Sequence, residues 1–303
     1  MEQAQLAAWL RRERGVELRA LTAVGGGCIH RAWRLELTDG ERLFAKSNRA
    51  ALRPVLDAEA DGLAALAAVA EVAVPRLVVP QPLALAELGG EALLLLPWLE
   101  LGGGSGQRNQ IHWRQLGADL AALHRASLRG HNGRFGWPHD NFIGAGPQRN
   151  GWCEQWGAFF AERRLGAQLD WAARSGRRLE GADALLEQVP AWLAPHSAEP
   201  CLVHGDLWSG NAGLLADGAG GALFDPAVYR GDREVDLAMA QLFGGFPGAF
   251  FAGYEEAWPL APGHPQRREL YNLYHLLNHA NLFGGGYWQQ AQSGIRALLR
   301  AWG

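Results

Sequence analysis

The sequence predicts an α+β architecture of two lobes, a small sheet lobe over residues 1–97 and a larger, mostly helical lobe over 98–303. Three observations carry this expectation. Short strand-like segments separated by glycine turns fill the first hundred residues, and helical periodicity dominates beyond residue 110. Between the helices, a polar strand–loop–strand stretch over 199–225 breaks the periodicity. With 303 residues the chain can bury a large core in such a unit.

The elements follow in order. Residues 2–13 read as a short amphipathic helix. Strands over 16–24, 31–37 and 41–47 come next, with Gly25-Gly26-Gly27 between the first two and an Asp39-Gly40 turn before the third. A helix over 54–68 precedes strands over 76–84 and 91–97, which makes five strands with one inserted helix. The apolar run Leu93–Leu96 stops at Pro97, and Leu96-Pro97-Trp98-Leu99-Glu100 is the expected connector between the lobes, with Gly102–Gly106 as a flexible continuation. Helices are expected over 110–126, where Leu116, Leu120 and Leu123 share a face, and over 152–173, 181–194, 232–243, 249–258, 266–282 and 287–301.

Composition narrows the partners. The net charge is −3 and no polybasic run occurs, which argues against nucleic acid or an anionic membrane. No apolar stretch is long enough to span a bilayer, and the start lacks the basic-then-apolar character of a signal peptide. Cys28, Cys153 and Cys201 have neither metal-ligand spacing nor a disulfide framework. A reducing cytoplasm fits these features, and one two-lobed monomer is the default expectation.

The chemistry is carried by His204-Gly205-Asp206-Leu207-Trp208-Ser209-Gly210-Asn211, followed by Phe224-Asp225-Pro226. Phosphoryl transfer from ATP needs an acceptor for the substrate hydroxyl proton and oxygen ligands for the metal–triphosphate complex. Asp206 is placed for the first role, and Asn211 and Asp225 for holding Mg²⁺, in the spacing of a protein-kinase-like fold. Lys46 is the only lysine in a chain whose other long cations are arginines. A compact ammonium reaches the α/β-phosphates as a point charge, which a planar guanidinium does less well. Its expected partner on the next helix is Glu59, ahead of Asp57 and Asp61. Gly25, Gly26 and Gly27, placed before the strand pair that ends in Lys46, read as a loop over the phosphates, although they do not form Gly-x-Gly-x-x-Gly. Pro97, Trp98 and Leu99 are the expected backbone contacts to adenine.

Two departures separate the chain from regulated protein kinases. Gly205 stands where those enzymes carry an arginine that reads a phosphorylated loop, and helical sequence resumes within seven residues of Asp225, too soon for a long activation segment. A small acceptor, or a small group on a larger one, fits such a short, open cleft. Asp236 is expected to accept backbone hydrogen bonds from the catalytic loop, the alternative being an ordinary carboxylate near a helix N-terminus. His124 is expected to tie its helix to the same loop.

Across almost its full length the chain resembles the fructosamine/ketosamine-3-kinases, relatives of the aminoglycoside phosphotransferases and choline kinases. The likeness is carried by Gly25-Gly26-Gly27-Cys28-Ile29-His30, Phe44-Ala45-Lys46, Leu116-Gly117-Ala118-Asp119-Leu120, Phe135-Gly136-Trp137 and Trp156-Gly157-Ala158-Phe159-Phe160. It continues through the catalytic segment, Arg233-Glu234-Val235-Asp236-Leu237, Phe243-Gly244-Gly245-Phe246 and Leu276-Leu277-Asn278-His279. The Trp-Ser pair of the catalytic loop and the Phe-Gly-Gly-Phe run set this family apart from its cousins. The resemblance implies ATP-dependent phosphorylation of the 3-hydroxyl of a ketosamine. The unstable 3-phosphate then eliminates and frees the amine of a small molecule or a glycated protein. It implies Asp206 as general base, Asn211 and Asp225 as Mg²⁺ ligands, and Lys46 with Glu59 as the triphosphate clamp.

Other positions carry two readings each. Trp208 stacks on the substrate sugar or packs in the interior, as some of the thirteen tryptophans must. Ser209 is a phosphate contact or a turn hydroxyl. Asn278 and His279, with Asn281, line the acceptor cleft or are satisfied core groups. Cys28 is a redox-sensitive thiol of the phosphate loop or simply a small residue in a tight turn. Competing functions are a phosphotransferase of the same fold acting on an aminoglycoside, choline or another sugar alcohol, and a nucleotide-binding pseudokinase. A polycationic acceptor would call for acidic residues on the acceptor helices, and the 266–282 helix offers only Glu269. The resemblance leans towards smaller ketosamine sugars.

Overall fold

The computed structural model describes residues 2–25, 29–102 and 107–302. The expected five-strand sheet forms from β1 (Leu18–Val24), β2 (Arg31–Leu37), β3 (Arg42–Arg49), β5 (Ala84–Leu88) and β6 (Glu91–Pro97). Its order is β1-β2-β3-β6-β5, with every neighbouring pair antiparallel. Side chains alternate across a strand, and this parity places the site. Leu43, Ala45, Leu93 and Leu95 face one side and pack with Leu6, Trp9 and Leu10 of α1 (Gln3–Arg14). Leu94 and Leu96 face the other side and join the core built on α2 (Arg53–Ala73). Lys46 follows the same parity and lies on the α2 side.

The expected strand over 76–84 does not form as one element. Leu77–Val78 (β4) pairs in parallel with β11 (Gly221–Leu223), outside the five-strand sheet, and the fourth strand of that sheet is β5 instead. Pro80 and Pro82 explain the split, because neither has an N–H to give to a ladder. The helix expected over 152–173 also divides. Cys153 exchanges two backbone hydrogen bonds with Phe135, both of 2.8 Å, so helix starts only with α4 (Trp156–Phe159). A π-helical stretch, Phe160–Gly166, leads from it into α5 (Ala167–Arg174).

The larger lobe is built on α3 (Gln107–Ala126), α6 (Ala182–Leu193), α7 (Glu234–Leu242), α8 (Gly248–Ala257), α9 (His264–Phe283) and α10 (Tyr287–Trp302). Short paired strands between them carry the functional turns: β7 (Asn141–Ile143) with β8 (Gly146–Gln148), β9 (Cys201–Val203) with β12 (Tyr229–Gly231), and β10 (Ala212–Leu214) with β11. Among the described residues no helix is long and apolar enough to cross a membrane.

Helices α3 and α8 approach through two glycines. A Cβ on Gly253 would lie 1.9 Å from the Arg114 carbonyl oxygen, and one on Gly117 would lie 1.9 Å from that of Phe250. Both obstacles are backbone atoms, so neither can swing aside. Gly253→Ala is therefore expected to lower unfolding stability by about 3 kcal/mol, the upper end for overpacking, in urea denaturation. An unchanged urea midpoint would show that the helices separate at little cost.

Candidate active site

The segment from His204 to Asp225 begins and ends in turns that are held from beneath. Asp236, fully buried near the start of α7, accepts the His204 N–H on Oδ2 at 2.7 Å and the Gly205 N–H on Oδ1 at 2.8 Å. His124 Nε2 meets the same Oδ2 at 3.1 Å, and its Nδ1 lies 2.9 Å from the Tyr254 hydroxyl. Burial works to raise the Asp236 pKa, but the hydrogen bond and charge of His124 outweigh it and hold the carboxylate low. His204 joins the two turns. Its Nδ1 accepts the Asp206 N–H at 3.3 Å and its Nε2 donates to the Phe224 carbonyl at 2.9 Å, which fixes the tautomer. Burial lowers its pKa, so the ring is a neutral brace.

Gly205 has φ +80, and a Cβ there would lie 2.1 Å from the Ala227 carbonyl oxygen. The missing arginine of the regulated kinases is therefore excluded sterically as well as absent. Asp225 has φ +57, the one positive φ outside glycine among the described residues. Left-handed backbone is tolerated by aspartate better than by most residues, and it bends the chain just before Pro226.

Around these turns the sequence-predicted residues converge. Lys46 Nζ donates to Glu59 Oε1 at 2.7 Å and to Asp225 Oδ1. The alternative partners are engaged elsewhere: Asp57 with Arg53 and Asp61 with the Trp137 indole N–H. Burial acts against the Lys46 ammonium, yet the two carboxylates outweigh it and raise its pKa. Asn211 Nδ2 donates to the Asp206 carbonyl at 2.9 Å, to Asp206 Oδ2 at 3.3 Å and to the Asp225 carbonyl at 3.3 Å. With the nitrogen so engaged, its Oδ1 is the atom left for a ligand. Burial first, then the charge of Asp225, push the Asp206 carboxyl up to about 7, against the opposing hydrogen bond from Asn211.

Two clefts meet here. One, of about 480 Å³, is lined by Gly25, Lys46, Pro97, Trp98, Leu99 and Asp225 among others. The Trp98 N–H is used by the Arg42 carbonyl at 3.2 Å, so Leu99 offers the next amide along the connector. Gly26, Gly27 and Cys28 lie outside the described residues, as does most of the Gly102–Gly106 stretch.

The second cleft, of about 640 Å³, holds Asp206, Asn211, Trp208, Asn278 and His279. Its walls are aromatic: Phe142, Phe243, Phe283 and Tyr287. They come from three separate segments, with Phe283 and Tyr287 together at the α9–α10 turn, and no spacing in the sequence joins the three. His279 packs against Phe243, with ring centroids 4.6 Å apart, and against Tyr287 at 5.2 Å. Asn278 is buried and its Oδ1 accepts from Gln168 at 3.3 Å. Trp208 is 38% exposed and lies over Gly210, whose Cβ would fall 2.2 Å from the ring. Ser209 lines neither cleft; its hydroxyl faces Gly245.

His30 is a site residue that the sequence reading left without a role. It lines both clefts beside Lys46 and Asp225. Burial, then the charge of Lys46, hold its pKa down to about 4.

Elsewhere, His196, Asp232 and Glu234 form a compact group, but Glu234 takes two 2.8 Å hydrogen bonds from Arg267, a cation already in place. Asn211 Oδ1 and the Asp225 carboxylate instead put oxygen at the two clefts, the donor type preferred by a hard dication.

The family model for fructosamine kinase matches residues 2–301. The chain belongs to the fructosamine kinase family. Family membership makes it a phosphotransferase, a kinase-family enzyme that uses ATP. It is 47% identical over 279 residues to a protein named probable ketoamine kinase from Synechocystis sp., covering 92% of this chain and 90% of the relative. It is 35% identical over 309 residues to the chloroplastic protein-ribulosamine 3-kinase of Arabidopsis thaliana, covering 99% and 89%. Among solved structures, the crystal structure of a "Putative fructosamine-3-kinase" from Haemophilus somnus 129PT superposes with a TM-score of 0.85 at 28% identity, covering 98% of this chain and 97% of the other. The family thus has the kinase-like, two-lobed fold expected from the sequence.

Proposed function

We propose that the chain phosphorylates the 3-hydroxyl of a ketosamine, either a small Amadori adduct or a glycated protein amine, and so initiates deglycation. The observation that carries this reading is the junction of the two clefts at Asp206, Asn211 and Asp225. The nucleotide cleft supplies the phosphoryl group across Asp225, and the acceptor cleft presents a hydroxyl to Asp206. Asp206 takes the hydroxyl proton as the oxygen attacks the γ-phosphorus, and the bond to the β,γ-bridging oxygen breaks to release ADP. Lys46, positioned by Glu59, neutralises the triphosphate, and Gly25, Pro97, Trp98 and Leu99 seat the nucleotide. Asn211 and Asp225 would hold Mg²⁺, which supplies charge neutralisation when bound.

The acceptor walls support a sugar with an organic arm. Apart from Glu59, Asp206 and Asp225, which serve the phosphate side, no carboxylate among the described residues lines the cleft. A polycation such as an aminoglycoside finds no partner there, whereas aromatic rings suit the C–H faces of a sugar. Trp208, His279 and Asn278 are assigned to this acceptor wall. We place the division between nucleotide and catalytic lobes at 97/98. We also place the enzyme in the cytoplasm as a monomer, in keeping with Cys153 and Cys201, which are free thiols.

The test is ADP formation by purified protein with ATP and Mg²⁺ against ribulosamine, fructosamine, aminoglycoside and choline acceptors. Turnover on a ketosamine is the expected result. Turnover confined to another alcohol would overturn the acceptor and leave the phosphotransfer machinery intact.

A further inference from the structure

His30 stands at the boundary of the two clefts, and its hydrogen-bonding state is fixed by the chain around it. Ile29, His30, Lys46, Gly210 and Asp225 line both cavities, so the ring borders the path along which a phosphoryl group passes from nucleotide to acceptor. The neighbour that sets the ring is Asn48. Its Oδ1 accepts the Arg49 N–H at 2.8 Å and its Nδ2 donates to the Ile29 carbonyl at 2.8 Å, so the amide can point only one way. The same Nδ2 lies 3.1 Å from His30 Nδ1. An N–H aimed at Nδ1 requires a lone pair there, which places the ring proton on Nε2. Nε2 has no hydrogen-bond partner among the described residues.

We propose that His30 is a further catalytic residue, whose Nε2–H donates a hydrogen bond to a non-bridging oxygen of the phosphoryl group during transfer. The inference rests on the phosphotransfer reading above and extends it to a side chain that differs from the lysine and metal contacts in being neutral. Negative charge on the transferring group spreads over its outer oxygens, and a donor already held in position stabilises it without reorganising. Asn48 acts through His30 as a positioning residue: it fixes which nitrogen carries the proton.

The two ring nitrogens can be imitated separately. The terminal nitrogen of glutamine reaches the position of Nε2, while that of asparagine reaches only that of Nδ1. The experiment measures kcat, KM, and the affinities for ADP and AMP-PNP in His30→Gln, His30→Asn and His30→Ala, with the acceptor on which the parent turns over. The parental assay separates the two levels: a parent inactive on ketosamines but active on another alcohol corrects the acceptor and leaves the His30 test in force. The expected result is a kcat loss on the order of 10²-fold in the Asn and Ala variants, with the Gln variant recovering most of it. ADP affinity is expected to stay at the parental value in all three, while AMP-PNP, which carries a γ-phosphoryl group, binds more weakly to the Asn and Ala variants. Equal kcat in all three variants and the parent would overturn the proposal. A Gln variant as impaired as the Asn variant, or ADP affinity falling in step with kcat, would also overturn it. Should the Ala variant fail to fold, the Gln–Asn pair decides alone.

Discussion

Asp206→Asn is expected to lower kcat by roughly 10²–10⁴-fold, the range for loss of a general base, with nucleotide affinity nearly unchanged. The substitution keeps the size of the side chain and one oxygen, so Asn211 Nδ2 can still donate to it and to the residue 206 carbonyl. What is lost is the ability to take a proton. The parental pH profile carries the same signature. Asp206 titrates at about 7, mainly because of burial, and must be ionised to act. The parental kcat/KM for ATP, which reports the free enzyme, should therefore fall as pH drops through that value. In kcat the limb should move to lower pH, because a dication in the complex disfavours protonation of a nearby carboxylate. Parental turnover in the variant would remove the base assignment.

Asp236→Ala is expected to act through the backbone. It removes the acceptor for the His204 and Gly205 N–H groups and for His124 Nε2, all buried. Two orphaned amides at typical penalties imply a loss of about 3 kcal/mol or more, read as the urea midpoint. Asn is not a rescue, since Oδ1 and Oδ2 both accept from amides and an NH₂ group would face one of them. Because the native carboxylate is held low, its contribution is present at neutral pH and fades as pH falls through the acid range. The stability difference between parent and variant should narrow on the acid side. A parental urea midpoint at neutral pH would refute the bracing role.

Much of the site was legible because its parts are local. Asp206, Asn211 and Asp225 lie within twenty residues, and strand parity sends Lys46 to the α2 side, where one turn of helix selects Glu59 over Asp57 and Asp61. Less of the surrounding structure could be read. An apolar stretch from 76 to 84 looks like a strand until the absence of two proline N–H groups decides otherwise. The hairpin at 141–148 consists of three-residue strands, below the length at which alternation is visible. Its polar ends are used inside: Asn141 donates to the Val228 carbonyl and Gln148 to that of Ala227, supporting the turn after Asp225. The acceptor walls come from three distant segments, and the tautomer of His30 depends on an amide eighteen residues away. Such features exist only once the chain has folded.

The pairing of β4 with β11 bears on how the enzyme opens. The chain crosses between the lobes at the connector, where the Gly102 N–H bonds the Leu214 carbonyl and the Ala216 N–H bonds that of Glu100. The β4 strand forms a second attachment, made of hydrogen bonds, at Gly221 and Ala222 on the same small sheet. Two anchor points define a line, and bodies joined along a line keep one free movement, rotation about it. Opening should therefore resemble a door on two hinges, with the edge that bears the acceptor swinging widest and the adenine edge nearly still.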